Sequence, residues 1–298
     1  MAVPMCPGCR ALLGPGEAVC PYCGWDLART EVRRSGGLVE RALRPLGGAS
    51  TALLFANVLV AVVVAVVQVR RGRGGAGLDA WVDAILSPRL DVLVGMGANV
   101  PRWVLRDGQV WRLVAATFLH GGLLHIFFNL SALRNIGPAV EQAYGSGKAL
   151  ALYLLAGLAG SAGTLGWAAW RAAASPDTAR IPSIGASGAI LGYAGILVAL
   201  GVRIGGEQGR ALWAPLLKSV GFLLLLGVIL ALSRTGFQMD NAAHAGGFLF
   251  GLGAGFLCTF GVRARGSPAA VRGWDAAALV LAALVPASFV PAALALAR

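Results

Sequence analysis

The feature that leaves this chain the fewest options is the stretch at residues 50–69, almost unbroken Ala, Val and Leu, which is followed by further stretches of the same kind. About 20 apolar residues in a helix cross the hydrocarbon core of a bilayer, and in that core a helix satisfies its own backbone. Read in the same way, the chain has further spans at about 123–140, 148–170, 185–202, 215–232, 243–260 and 274–296, seven in all. Charged residues make up 13% of the chain, against about 25% in a soluble domain. That is too few to coat a water-facing surface, so the class expected is an all-α polytopic membrane protein. The net charge of +12 then marks loops beside anionic lipid rather than a nucleic-acid partner. The N-terminus carries cysteines and no early apolar run, so no signal peptide is expected ahead of the first span.

The chain divides into a head at 1–27, a basic linker at 28–49 and a membrane domain at 50–298. The head holds Cys6-Pro-Gly-Cys9 and Cys20-Pro-Tyr-Cys23. Two such turns can close a tetrahedral four-thiolate site suited to structural Zn²⁺, the alternatives being two disulfides or four thiols. A ribbon this small would depend on the metal to fold and could serve a protein partner. Arg29, Arg33, Arg34, Arg41 and Arg44 of the linker suit a membrane surface. The 70–120 connection mixes Trp81, Trp103 and Trp111 with arginines, as short amphipathic helices at headgroup level would. Loop charge puts the N-terminus inside: the outer loops at 171–184 and 233–242 hold three arginines in total, fewer than the inner segments, and the 70–120 connection, with seven, is an exception of a length that counts little in this rule. The chain is thus expected in a plasma or inner membrane with the head in the cytoplasm.

The fourth span opens on Gly185-Ala186-Ser187-Gly188, a hydroxyl between two glycines. Hydrolysis by serine needs a base for its proton and donors for the oxyanion. The histidines are His120, His125 and His244. His244 begins the sixth span, at the same outer depth as Ser187. Gly247, Gly251 and Gly255 recur every four residues, as do Gly188 and Gly192, and such ridges let two helix backbones approach closely. Generic packing explains the glycines as well. His125 and Asn129 share a helix face. Aimed at Ser187, they would make an oxyanion hole with the Ser187 backbone N–H. A metal site on the three histidines is a weaker alternative, because no carboxylate or cysteine joins them at a useful spacing. Asp240 precedes His244, and its ordinary role is that of a helix-start acid.

These motifs together resemble the rhomboid intramembrane serine proteases. The matching pieces are Trp111-Arg112, His120-x4-His125-x3-Asn129, Gly137-x3-Glu141-x3-Gly145, Gly185-x-Ser187-Gly188 and Ala243-His244-x2-Gly247-x3-Gly251, over about residues 95–260. The resemblance implies a six-helix core with one extra C-terminal span. It implies a Ser187–His244 dyad, no cofactor for catalysis, and His125 and Asn129 in the oxyanion hole. It places Trp111 and Arg112 in a membrane-inserted loop, and makes the substrates transmembrane proteins cut in or near their spans. The zinc-ribbon head lies outside the family pattern. The chain also departs from it four residues after the nucleophile, where many relatives carry an aromatic and this chain has Leu191. Tyr193 is about 120° further round the helix from the Ser187 direction and does not substitute for it.

Two other functions fit parts of the sequence. One is a scaffold that binds transmembrane helices without cutting, against which the complete Ser, His, His, Asn set argues. The other is a small transporter, for which the chain shows no inverted repeat and no broken-helix pair with midplane charge. Cys258 in the sixth span reads as a small buried hydrophobe.

Overall fold

Each of the seven apolar stretches has a helix at its core in the computed structural model, which describes residues 6, 19–20, 37–72, 77–172, 174–233, 238–258 and 268–296. A short helix, α1 (Leu38–Leu43), inside the stretch read as linker, precedes the first span α2 (Ala49–Arg71). The long connection folds into α3 (Leu78–Leu86), α4 (Leu90–Met96), α5 (Pro101–Asp107) and α6 (Arg112–Ala115). The bundle continues with α7 (Leu123–Tyr144), α8 (Ser146–Arg171), α9 (Ser187–Ile204), α10 (Gly206–Ser233), α11 (Asn241–Leu257), α12 (Pro268–Ser288) and α13 (Val290–Leu296). No strand occurs among the described residues beyond isolated bridging such as Asn99 with Ser183. The protein is an all-α polytopic membrane protein.

Five described helices are long and apolar enough to cross a bilayer alone: Ala49–Arg71, Ser146–Arg171, Ser187–Ile204, Gly206–Ser233 and Ala269–Ala295. Arg112–Phe118 joined to Leu123–Tyr144 makes a sixth, bent by 90° at the break. The sequence suggested seven spans of similar standing, and the two that differ do so for physical reasons. Helix α7 carries His125, Asn129, Arg134, Asn135 and Glu141, which dilute its hydropathy. Helix α11 has 17 residues, so it is about 25 Å long against a hydrocarbon core of about 30 Å.

Lipid is as apolar as leucine, so burial alone does not drive helices together inside a membrane; close backbone contact does. Helix α9 is the hub, with 78% of its apolar window buried inside the protein, whereas α10 has 11% and faces outward. The contact between α9 and α11 runs through glycines. A side chain at Gly247 would fall on the Gly188 carbonyl oxygen, and one at Gly251 on that of Gly192. Helix α8 approaches from the other side, where a Cβ at Gly160 would come within 3.0 Å of the Ala243 carbonyl oxygen. Tyr153 of α8 and Tyr193 of α9 meet edge-on inside the core, ring centroids 5.5 Å apart. Tyr193 Oη donates to the Ala149 carbonyl at 2.8 Å, which gives that tyrosine a structural duty far round the helix from Ser187.

Two polar devices fasten the outer pieces. Arg112, buried at the start of α6, donates to the carbonyls of Val94 (2.7 Å) and Ala98 (3.0 Å). Its guanidinium lies 4.6 Å and 4.5 Å from the ring centroids of Trp103 and Trp111. One planar cation thereby ties α4, α5 and α6 into a single unit. Glu141, near the end of α7, accepts from the backbone N–H groups of Ala49 (2.6 Å) and Ser50 (3.0 Å) and from Ser146 Oγ (2.6 Å). A carboxylate at that place caps the N-terminus of α2 and complements its dipole.

Candidate active site

Ser187 is the first residue of α9, and the turn before it explains why. Gly185 has φ +123°, a conformation that side chains resist. The chain turns there, so the helix begins at Ser187 rather than at 185. The Gly185 N–H donates to the Ala116 carbonyl at 2.9 Å, and Ser183 pairs with Asn99 through two backbone bonds of 2.9 Å. The approach to Ser187 is thus tied to the connection held by Arg112.

The Ser187 Oγ lies 2.8 Å from His244 Nε2. The serine is half-buried and His244 is 4% exposed. With the hydroxyl donating to Nε2, the neutral ring carries its own proton on Nδ1. That Nδ1 is buried and has no hydrogen-bond partner. Asp240 is the N-cap of α11, one turn before His244. Its carboxylate accepts from the Ala243 N–H at 2.9 Å and from Thr164 Oγ1 of α8 at 2.6 Å. The helix-start role expected of Asp240 is what the geometry shows, with Thr164 as a partner that the sequence did not reveal.

His125 enters from the first turn of α7. Its Nδ1 accepts from the Gly121 N–H at 3.2 Å, so the network assigns the ring proton to Nε2. A Cβ at Gly185 would lie 2.8 Å from this Nε2 and 3.7 Å from Ser187 Oγ. An N–H donor therefore faces the same small space as the hydroxyl, and the missing side chain of Gly185 keeps that space open. Asn129 is buried one turn further on, and its Nδ2 donates to the His125 carbonyl at 2.8 Å. One amide hydrogen is committed to its own helix, which leaves the second to serve elsewhere. His120 is buried too. Its Nδ1 donates to the Phe118 carbonyl at 3.2 Å, and its ring meets that of His125 edge-on at 5.1 Å.

Leu191, at the position where an aromatic would support the base, packs in a group with Ala194 and Val220 and against Phe248. Of the head, Cys6 and Cys20 are buried, one from each C-P-x-C pair. Cys9 and Cys23 lie outside the described residues. Thiols are donors that Zn²⁺ takes in structural sites, and the described residues hold no group of three or more His, Cys, Asp or Glu that could bind a metal.

The arrangement has the parts that acyl transfer needs: a hydroxyl, a base at hydrogen-bond distance and a neighbouring N–H donor. A family comparison bears on what it is. The profile of the Rhomboid domain matches residues 107–260, more than half of the chain and all four of Ser187, His244, His125 and Asn129. The chain belongs to the rhomboid family. It is 32% identical over 178 residues to RHOMBOID-like protein 5 of Arabidopsis thaliana, covering 59% of this chain and 52% of that protein. It is 33% identical over 168 residues to Rhomboid protease GluP of Bacillus subtilis, covering 55% of this chain and 29% of that protein. Rhomboid-like protease 1 of Toxoplasma gondii is 30% identical over 172 residues, covering 58% of this chain and 55% of that protein. The chain spans about half the length of these rhomboid relatives, or less. The head at 1–27 and the helices α12 and α13 lie outside the matched domain.

Proposed function

We propose that this rhomboid is a serine endopeptidase that hydrolyses peptide bonds in or near the transmembrane segments of other membrane proteins. The observation that carries the reading is the 2.8 Å contact between Ser187 Oγ and His244 Nε2, made between the first turns of two glycine-welded helices. His244 takes the Ser187 proton as Oγ attacks the scissile carbonyl, then returns a proton to the leaving amine. The His125 Nε2–H and the Ser187 backbone N–H, the latter at a helix N-terminus, bind the developing oxyanion, and the second Asn129 amide hydrogen adds to them. Water then attacks the acyl-enzyme with His244 again as the base. Substrates are membrane proteins because the reacting pair sits on spans, where a segment reaches it from the bilayer.

Cys6, Cys9, Cys20 and Cys23 would hold one structural Zn²⁺, leaving the head as a platform for a protein partner. With the N-terminus inside, the head faces the cytoplasm and the dyad the outer half of a plasma or inner membrane. No cofactor enters the peptide hydrolysis in this reading, and no nucleic acid is a partner.

The test is labelling of the purified protein by a fluorophosphonate, beside cleavage of a purified single-span membrane protein. Wild type is expected to label and cleave, and Ser187→Ala and His244→Ala each to do neither while remaining folded. A folded Ser187→Ala form that still cleaves removes Ser187 as nucleophile. A wild type that does neither leaves the scaffold reading, in which the same surface binds transmembrane helices.

A further inference from the structure

His244 stands at a poor place for a base. It is the fourth residue of α11, within the first turn, where the unsatisfied N–H groups amount to about half a positive charge. When the imidazole takes the Ser187 proton it becomes a cation next to that field. Its Nδ1 is buried and has no acceptor to share the charge. Helix α8 presents Thr164, which is neutral, and α9 presents Ser187. The ionisable group that faces the dyad from α7 is His125, which gives no negative charge. Asp240, the N-cap of α11, brings a carboxylate to the turn that carries this ring. It precedes His244 by four residues, and the His244 N–H donates to its carbonyl at 3.1 Å in the first bond of the helix. It does not swing freely, because the Ala243 N–H and the Thr164 hydroxyl hold its two oxygens at 2.9 Å and 2.6 Å.

We infer that Asp240 is a positioning residue of the catalytic machinery, whose fixed negative charge offsets the α11 dipole and stabilises the His244 imidazolium through space, with Thr164 locking the carboxylate in place. The inference rests on the Ser187–His244 reading and adds a third member that touches neither the substrate nor the serine. An ordinary cap needs an oxygen at the N-cap and no charge, because Asn caps as well as Asp. The charge is needed only if it acts on the histidine. The two roles therefore separate by substitution. Asp240→Asn keeps the cap and removes the charge. Asp240→Glu keeps the charge and gives a poorer cap.

The experiment measures fluorophosphonate labelling of the full-length protein in detergent, resolved into the maximal rate kinact and the half-saturating concentration KI. In the labelling step the Ser187 oxygen forms a bond to phosphorus, fluoride leaves, and the serine proton passes to His244. Asp240→Asn is expected to lower kinact about ten-fold with KI unchanged. Asp240→Glu should stay nearer to wild type. Equal or faster labelling by the Asn form than by the Glu form makes Asp240 a cap and nothing more, and overturns the inference. Ser187→Ala separates the two failures. If it does not label while Asp240→Asn labels like wild type, the nucleophile stands and the Asp240 role falls. If wild type itself does not label, the reading of the dyad falls and the role of Asp240 falls with it.

Discussion

Two glycines of α11 decide whether the reacting side chains meet. Gly247 and Gly251 lie one turn apart on α11, each pressed against a carbonyl oxygen of α9. Adding one methyl group at either forces the helices apart, and overpacking of this kind costs about 1–3 kcal/mol. The larger effect is on geometry, because a separation of about 1 Å between reacting groups can cost 100-fold in rate. Gly247→Ala and Gly251→Ala are each expected to reduce fluorophosphonate labelling at least ten-fold. Gly253→Ala, where nothing lies within 4 Å, should leave it unchanged, which makes it the control on the same helix. These glycines were legible in the sequence as a four-residue ridge, and so was the shared depth of Ser187 and His244. The tautomer of His125 was not, because it depends on the Gly121 N–H, which depends in turn on the 90° bend between α6 and α7. Nor was the Thr164 bond to Asp240, which joins side chains 76 residues apart with no motif to link them.

At the scale of elements, the helices announced themselves and their ends did not. Apolar composition located all seven segments, but the fifth was read as 215–232 and the helix starts at Gly206. Pro215 lies inside the helix rather than at its start. The 70–120 connection was expected to form short helices and does, yet composition gave no sign that Arg112 would turn inward to the Val94 and Ala98 carbonyls rather than lie at the headgroups. Glu141 is the clearest element-level device. Its carboxylate serves the first turn of α2 and the first residue of α8 from the last turns of α7, so three helices share one anchor. Hydrogen bonds to a charged group contribute about 1.5–3 kcal/mol each, and they are not additive when one side chain makes several. Glu141→Ala is expected to destabilise the fold by about 2–4 kcal/mol. That corresponds to a fall of about 5–10 °C in the apparent Tm in detergent. Ser146→Ala, which removes one of the three bonds, should cost less than half as much. An equal loss in the two variants would mean that the cap on α2 contributes nothing.

Across the whole molecule, the reading assigns the two ends of the bundle different work. Ser187, His244, His125 and Asp240 lie at starts of α9, α11 and α7, and the proposed topology puts those starts on the outer side. The α11 helix is about 25 Å long in a hydrocarbon core of about 30 Å. In the proposed topology the head, which precedes α1 and α2 in the chain, would face the cytoplasm. Both halves of this arrangement can be checked on one protein. Asp177 lies in the outer loop between α8 and α9 with its side chain 84% exposed. Asp177→Cys, expressed in intact bacterial cells, is expected to react with a membrane-impermeant maleimide. The four head cysteines should stay unlabelled until the cells are opened. Reversal of that pattern would turn the topology over and put the dyad on the inner side. In the purified protein, elemental analysis is expected to give about one zinc per chain, lost in Cys20→Ser. Because the head is separated from α2 by the linker and lies outside the matched rhomboid domain, loss of its metal should leave fluorophosphonate labelling of Ser187 unchanged. Labelling that fell with the metal would instead couple the head to the dyad.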